Sequence, residues 1–121
     1  MGGMVQRIVP YLTTTDLAPV RDFYVHVLGL EVAMEDPVLN LRSPANPAAQ
    51  IIVQRPGSPE PRFGIDVGTP EAVDAAHAEV VSRGLRVVYP LTDEAWGVRR
   101  FFVADPSGSV VNVLAHAATM R

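Results

Sequence analysis

The stretch WGVRRFFVADPSGSVVNVLAH, residues 96–116, determines how the last part of this 121-residue chain folds. Apolar and polar side chains alternate in both of its arms, a pattern typical of β-strands that bury one face. The central DPSG, residues 105–108, combines residue types that favour a tight turn. The stretch therefore predicts two antiparallel strands joined by a turn.

A helix precedes this hairpin. TPEAVDAAHAEVVSRG has apolar side chains at helical spacing, with Thr69 suited to the N-cap, Pro70 to the first turn and Gly84 to the helix end. RFGIDVG before the helix and LRVVYPL after it have the composition of strands. The second half of the chain is therefore predicted to run strand, helix and three strands.

The first half repeats this order. RIVPYLTT predicts a strand, and DLAPVRDFYVHVLG predicts a helix with Asp16 at its N-cap and Gly29 at its end. LEVAMED and VLNLRSP predict a hairpin around Asp36 and Pro37, and AAQIIVQR a further strand. When the two halves of the sequence are aligned at a constant offset, Gly29 falls on Gly84. The helix ends and the buried strand positions of the two halves then coincide.

We therefore predict an α+β protein built from two tandem βαβββ modules, each with a curved mixed sheet. The first module spans about residues 5–55, the proline-rich linker residues 56–61 and the second module about residues 62–116, within a single domain of residues 1–121. A helix on one side of each sheet leaves a concave face on the other side, which is where small ligands bind.

Composition excludes several classes of function. The chain has no cysteine and no lysine, so it can form neither a disulfide or thiolate site nor a lysine Schiff base. Its net charge is −3 and it has no basic run, which argues against a nucleic-acid partner. No apolar stretch is long enough to cross a membrane, and we expect a cytoplasmic protein.

These features resemble the vicinal oxygen chelate superfamily, which includes glyoxalases, bleomycin-resistance proteins and extradiol dioxygenases. The resemblance rests on LTTTDLAPVRDFYVHVLGLEV in the first module and on residues 96–116 in the second. It implies paired βαβββ modules, a ligand cavity in each curved sheet and a homodimer. We assign Phe23 and Tyr24, in the first helix, to packing against the sheet.

The resemblance also implies where a divalent metal would be held, by His, Glu or Gln on the first and last strands of each module. In this chain the first-strand position is Val9, the second module's first-strand position falls within residues 62–64, and the last-strand position is Asn112. Valine, arginine, phenylalanine and glycine are unsuitable, and a neutral amide is a weak ligand.

The remaining metal position lies on AAQIIVQR, where Gln50 or Gln54 offers only an amide oxygen. We therefore expect no cofactor. The alternative is a divalent metal bound by a shifted set that uses His116, Asn112 and one of these glutamines.

Strand alternation predicts which side chains face the concave side. Arg99 and Arg100 are adjacent on a strand, so only one of them faces it, and the alternation alone leaves open which. The predicted ligand-binding set is Val9, Tyr11, Thr13, Arg62, Asp66, Trp96, Arg99, Val110, Asn112, Leu114 and His116.

Two functions remain open at this point. The first is a metal-independent protein that binds a hydrophobic or aromatic small molecule in the cavity of a homodimer, for example to sequester a toxic compound. The alternative is a glyoxalase-like or dioxygenase-like enzyme that acts on a carbonyl-containing small molecule, either without metal or with an atypical metal site. The candidate catalytic acids and bases are then Tyr11, Asp66 and His116.

Overall fold

The structure, a computed structural model, describes residues 5–35 and 38–117. These residues form two compact units, one of Val9–Glu60 and one of residues 61–117 together with 5–8, which we call the N-terminal and C-terminal units. The turn predicted at Asp36 and Pro37 lies outside the described residues. The division of the whole chain into modules and a linker within one domain stays a prediction.

The helices and strands follow the predicted order in both halves. The first half contains β1 (Arg7–Thr13), α1 (Leu17–Asp22), a π-helical segment (Phe23–Val27), β2 (Glu31–Met34), β3 (Leu39–Arg42) and β4 (Gln50–Gln54). The second half contains β5 (Phe63–Asp66), α2 (Pro70–Ser82), β6 (Val87–Asp93), β7 (Val98–Ala104) and β8 (Val110–His116). The two predicted βαβββ modules are confirmed.

The N-terminal unit orders its strands β2-β3-β4-β1, with β1 parallel to β4 and the other pairs antiparallel. Leu41 and Val53 are fully buried in its core, because alternation directs both toward α1. Leu17 and Val20 of α1 pack on them, at the helical spacing seen in the sequence.

The first helix differs from the continuous α-helix predicted. Asp16 occupies the N-cap but its side chain makes no capping bond, and after Asp22 the helix widens into the π-helical segment. The wider turn brings the neighbouring Tyr24 and Val25 both against the core. Gly29 ends the helix as predicted, in a left-handed conformation with φ of 81°.

The C-terminal unit orders its strands β5-β8-β7-β6, with β5 parallel to β8 and the rest antiparallel. Alternate residues of the central strands face α2, where they form the core: Val73, Phe101, Val103, Val111, Val113 and Ala115. Gln6 joins this unit through its backbone N–H, which donates to the carbonyl oxygen of Asp66 at 2.7 Å.

Local signals predicted α2 correctly. The Thr69 hydroxyl accepts a hydrogen bond from the backbone N–H of Ala72 at 3.1 Å, Pro70 begins the helix, and Gly84 follows it with φ of 67°. No helix within the described part of the chain is long and apolar enough to cross a membrane.

The predicted DPSG turn between β7 and β8 is confirmed. Oδ1 of Asp105 accepts hydrogen bonds from the Ser107 hydroxyl at 2.6 Å, the Ser107 backbone N–H at 2.8 Å and the Ser109 backbone N–H at 3.0 Å. Gly108 supplies the left-handed residue, with φ of 93°. These bonds, that of the Ser107 hydroxyl foremost, hold the pKa of Asp105 below its ordinary value of 3.8.

We expect the stabilisation from this turn to disappear in acid. Because the pKa of Asp105 is lower in the folded state, its contribution is fully present above pH 3.8 and is lost as the pH falls through the folded-state pKa. Thermal unfolding of wild type and Asp105→Ala should differ at neutral pH and converge in strong acid. A difference that is constant across that range would show that the carboxylate charge is irrelevant.

Candidate functional site

Charged, aromatic and polar side chains come together on the sheet face of the C-terminal unit opposite α2, which we call the C-terminal face. Register places Arg100 of β7 beside Leu114 of β8, and Leu114 beside Asp66 of β5. Because strand side chains alternate, the same face carries Phe102, Asn112 and His116. Asp66, Phe102, Asn112 and Leu114 are buried, so this face forms a closely packed floor.

Arg100 lies at the centre of an aromatic cluster on this face. Its guanidinium carbon is 4.9 Å from the ring centroid of Phe102, 5.2 Å from that of Tyr89 and 5.3 Å from that of Trp96. The Tyr89 and Phe102 rings also contact each other, with centroids 4.7 Å apart. Cation–π attraction from three rings holds the guanidinium in place.

Glu94 fixes the orientation of this arginine. One carboxylate oxygen, Oε2, accepts a hydrogen bond from Arg100 Nε at 2.8 Å and another from the Tyr89 hydroxyl at 2.7 Å. The Glu94 side chain is only 12% exposed. Among the described residues, neither terminal nitrogen of Arg100 has a hydrogen-bond partner, so the end of the guanidinium can receive a ligand oxygen.

Trp96 reaches the cluster from the β6–β7 turn. The backbone N–H of Gly97 donates to the Glu94 carbonyl at 3.0 Å, and that of Glu94 donates to the Val98 carbonyl at 2.7 Å. Gly97 has φ of 87°, as expected of a turn that closes with a left-handed residue. The turn leaves the indole 47% exposed, a flat apolar surface beside a cation.

A second polar group lies across the sheet. Arg7 Nε donates to Asp66 Oδ2 at 2.9 Å, and Asp66 Oδ1 accepts from the backbone N–H of Gly68 at 2.9 Å. Arg7 Nη2 is 2.9 Å from His116 Nε2. Asp66 is thus held by two donors, and Arg7 links it to the imidazole.

The structure brings together five of the predicted ligand-binding residues on or beside the C-terminal face: Asp66, Trp96, Asn112, Leu114 and His116. Arg62 immediately precedes β5 and Val110 begins β8, and the Arg62 backbone N–H donates to the Val110 carbonyl at 2.8 Å. The Arg62 side chain is exposed. Whether these residues bind a ligand stays a prediction.

Arg99, a member of the predicted set, does not lie on the C-terminal face. It lies on the same side of β7 as Phe101 and faces α2, where its guanidinium pairs with Asp74 at 2.7 Å and with Asp93 at 2.9 Å. These carboxylates, Asp74 first, raise the pKa of Arg99 above its ordinary value. Strand alternation therefore gives the C-terminal face to Arg100 and not to Arg99.

The other three predicted residues belong to β1. Val9 is buried, Tyr11 is half-buried beside Ile52 of β4, and Thr13 is exposed, with its hydroxyl 3.3 Å from Glu60 Oε1. The N-terminal unit also contains an open cavity of about 410 Å³ lined by Leu12, Thr13, Thr14, Pro19, Val20, Phe23 and Tyr24.

Of the two aromatic residues assigned to packing, Tyr24 packs on the core as predicted, whereas Phe23 is 46% exposed. The Phe23 ring meets the Tyr24 ring edge-on at 5.0 Å. The Thr14 hydroxyl in this cavity is already bonded to the backbone of Asp16. The cavity therefore offers apolar contact and no charged anchor.

The residues at the metal positions implied by the resemblance do not fit a divalent ion. Val9 presents a buried alkyl chain, Gly64 has no side chain, and Asn112 offers only an amide. His116 directs Nε2 at a guanidinium, which repels a cation. Within residues 5–35 and 38–117, no three His, Cys, Asp or Glu side chains cluster as metal ligands do.

Several residues of the site were not predicted from the sequence. Glu94 and Tyr89 are separated from Arg100 by a turn. Their spacing in the sequence does not indicate that Tyr89 and Arg100 both donate to one oxygen of Glu94. Arg7 is 59 positions from Asp66, so no local pattern predicts their pairing. Arg100 was one of two possibilities, because Phe101 and Phe102 are both apolar and alternation alone does not say which of them faces the helix.

Comparison with known proteins agrees with this architecture. One similar solved structure is that of a glyoxalase/bleomycin resistance protein/dioxygenase superfamily member from Vibrio splendidus 12B01. Its sequence is 18% identical to this one, and the two structures match with a TM-score of 0.69 over 90% of this chain and 97% of that chain. An extradiol ring-cleaving dioxygenase from B. fuscum is 29% identical, with a TM-score of 0.74 over 99% of this chain. Homoprotocatechuate 2,3-dioxygenase from Brevibacterium fuscum is 27% identical, with a TM-score of 0.72 over 99% of this chain.

This chain spans only 35% of each dioxygenase chain. No curated protein matches it. The sequence profile of the Glyoxalase/Bleomycin resistance protein/Dioxygenase superfamily matches residues 5–113, nearly the whole chain. With both βαβββ modules present, the chain belongs to the glyoxalase/bleomycin resistance protein/dioxygenase superfamily.

Proposed function

We propose that the protein binds a planar aromatic small molecule that carries a carboxylate, without a metal ion, on the C-terminal face. The observation that carries the proposal is the environment of Arg100. Its guanidinium is enclosed by three aromatic rings and held through Nε by Glu94, and both terminal nitrogens lack a hydrogen-bond partner within the described part of the chain.

Each part of the proposed ligand has a counterpart on the face. The exposed indole of Trp96 offers a stacking surface for an aromatic ring directly beside the Arg100 guanidinium. The terminal edge of a guanidinium matches the two oxygens of a carboxylate in a bidentate pair. Because the Arg100 side chain is only 22% exposed, solvent screens this pair less than it would on an open surface.

Glu94 makes Arg100 selective for an aromatic carboxylate over other anions. Its carboxylate already occupies the Nε side of the guanidinium, so an incoming carboxylate must approach end-on through the terminal nitrogens. It also offsets much of the positive charge, which disfavours small inorganic anions that have no ring to stack. Affinity therefore requires both the ring and the carboxylate.

The test uses the only tryptophan of the chain as a reporter. Naphthoate is titrated into the protein while the fluorescence of Trp96 and, in parallel, the heat of binding are followed. We expect saturable quenching and a matching calorimetric isotherm, with weaker heat for Trp96→Leu. Absence of saturable heat for naphthoate and for related aromatic acids would remove the proposal.

We also propose that the protein is a cytoplasmic homodimer. Val27 and Leu28, at the end of the π-helical segment, are exposed apolar side chains that a second copy could cover. Sedimentation velocity should give the dimer mass at micromolar concentration. A monomer mass at every concentration contradicts the dimer and leaves the ligand proposal standing.

A further inference from the structure

We propose that Arg7 is a positioning residue that fixes the tautomer of His116, so that the imidazole carries its proton on Nδ1 and presents that N–H as a hydrogen-bond donor. The observation is the 2.9 Å contact between Arg7 Nη2 and His116 Nε2. A guanidinium has only donors, so the ring nitrogen that faces it must be the acceptor. A neutral imidazole with an acceptor at Nε2 has its proton on Nδ1.

Arg7 is itself held in place, so the preference of His116 for the Nδ1–H tautomer persists. Its Nε is bonded to Asp66 Oδ2, and Asp66 is 7% exposed and anchored at its other oxygen by the Gly68 backbone N–H. The backbone at Gln6 pairs with that of Asp66 as well. The guanidinium therefore cannot turn away from His116 without breaking a partly buried ion pair.

The role of the His116 Nδ1–H as a donor to a ligand rests on the proposed function. His116 follows Leu114 by two residues on β8 and shares its side of the strand, and Leu114 pairs with Arg100. His116 and Arg100 are therefore diagonal neighbours, with Cα atoms roughly 7–8 Å apart. Among the described residues His116 Nδ1 has no partner, so its N–H can donate to a second oxygen of a ligand held by Arg100.

This assignment changes what His116 can do. With Nε2 occupied by a guanidinium, the imidazole has no acceptor nitrogen directed at a ligand and is unsuited to act as a base there. It remains a donor, which stabilises a carbonyl, carboxylate or phenolate oxygen. His116 thereby differs from the general base considered from the sequence.

The experiment is a long-range ¹⁵N–¹H correlation spectrum of the imidazole side chains in the full chain, without ligand, at mildly alkaline pH. We expect His116 in the Nδ1–H form, the minor tautomer of free imidazole side chains in water. Arg7→Ala should return His116 to the Nε2–H form. Arg62→Ala, which removes an exposed arginine of the same unit, should leave it in the Nδ1–H form.

The wild-type spectrum decides the matter even if Arg7→Ala folds poorly. A predominant Nε2–H signal for His116 in the wild type overturns the inference, and so does an Nδ1–H signal that persists in folded Arg7→Ala. Neither result touches the proposed function, which stands or falls on the naphthoate titration. Binding of naphthoate should in addition shift the His116 Nδ1 resonance.

Discussion

Replacing Phe101 with alanine is expected to lower the free energy of unfolding by about 3–5 kcal/mol. Phe101 is fully buried between the β7–β8 hairpin and α2, and its ring meets the His77 imidazole edge-on at 5.0 Å. Alanine would leave a cavity that the flanking valines cannot fill. Such a loss is a large fraction of the total stability of a domain of this size.

The matched control is Phe23→Ala. The Phe23 ring is 46% exposed, so its removal should cost less than about 1 kcal/mol. Urea denaturation of wild type and both variants measures the two losses on one scale. Equal losses for the two phenylalanines would contradict the burial of Phe101 in the core between β7 and α2.

Replacing Arg100 with glutamine is expected to weaken naphthoate binding by roughly 10- to 100-fold, since hydrogen bonds to a charged group contribute about 1.5–3 kcal/mol. Binding of naphthamide, which has the same rings and no charge, should change far less. The variant should therefore lose most of the preference for the acid over the amide. Calorimetric titration of both compounds measures that preference directly.

The neighbouring arginine supplies the control. Arg99→Gln removes the same charge from the same strand, but its ion pairs with Asp74 and Asp93 lie on the helix side. We expect less than about a twofold effect on naphthoate affinity, because this charge lies on the opposite side of the sheet, is already paired with two carboxylates and is screened by salt. A similar loss in both variants would mean that overall charge, and not the Arg100 contact, governs binding.

The modules could be predicted because their signals are local. Thr69 and Gly84 bracket α2 through capping chemistry, and Asp105 begins a turn whose hydrogen bonds span only four residues. The core faces follow from strand alternation, since Phe63, Ile65 and Val67 are alternate residues and all pack on the core side covered by α2. These features depend on near neighbours in the chain.

The site could be predicted only in part because its contacts are long-range. The link from Arg7 to His116 joins residues 109 positions apart, and it exists only because the first strand residues join the C-terminal unit. The choice between Arg99 and Arg100 required knowing that Asp74 of α2 approaches β7. Pairing of charges across a sheet leaves no periodic trace in the sequence.

Metal-independent binding at Arg100 is tested by a calorimetric titration of naphthoate into protein that has been treated with a chelator and shown by elemental analysis to be free of metal. We expect saturable one-site binding that is unchanged when zinc, iron or manganese is added. In Arg100→Gln this binding should be weakened by roughly 10- to 100-fold, with most of the preference for the acid over the amide lost. Binding that appears only after a divalent ion is restored would contradict metal-independent binding, and would show that the chain assembles a metal site from residues other than those at the implied positions.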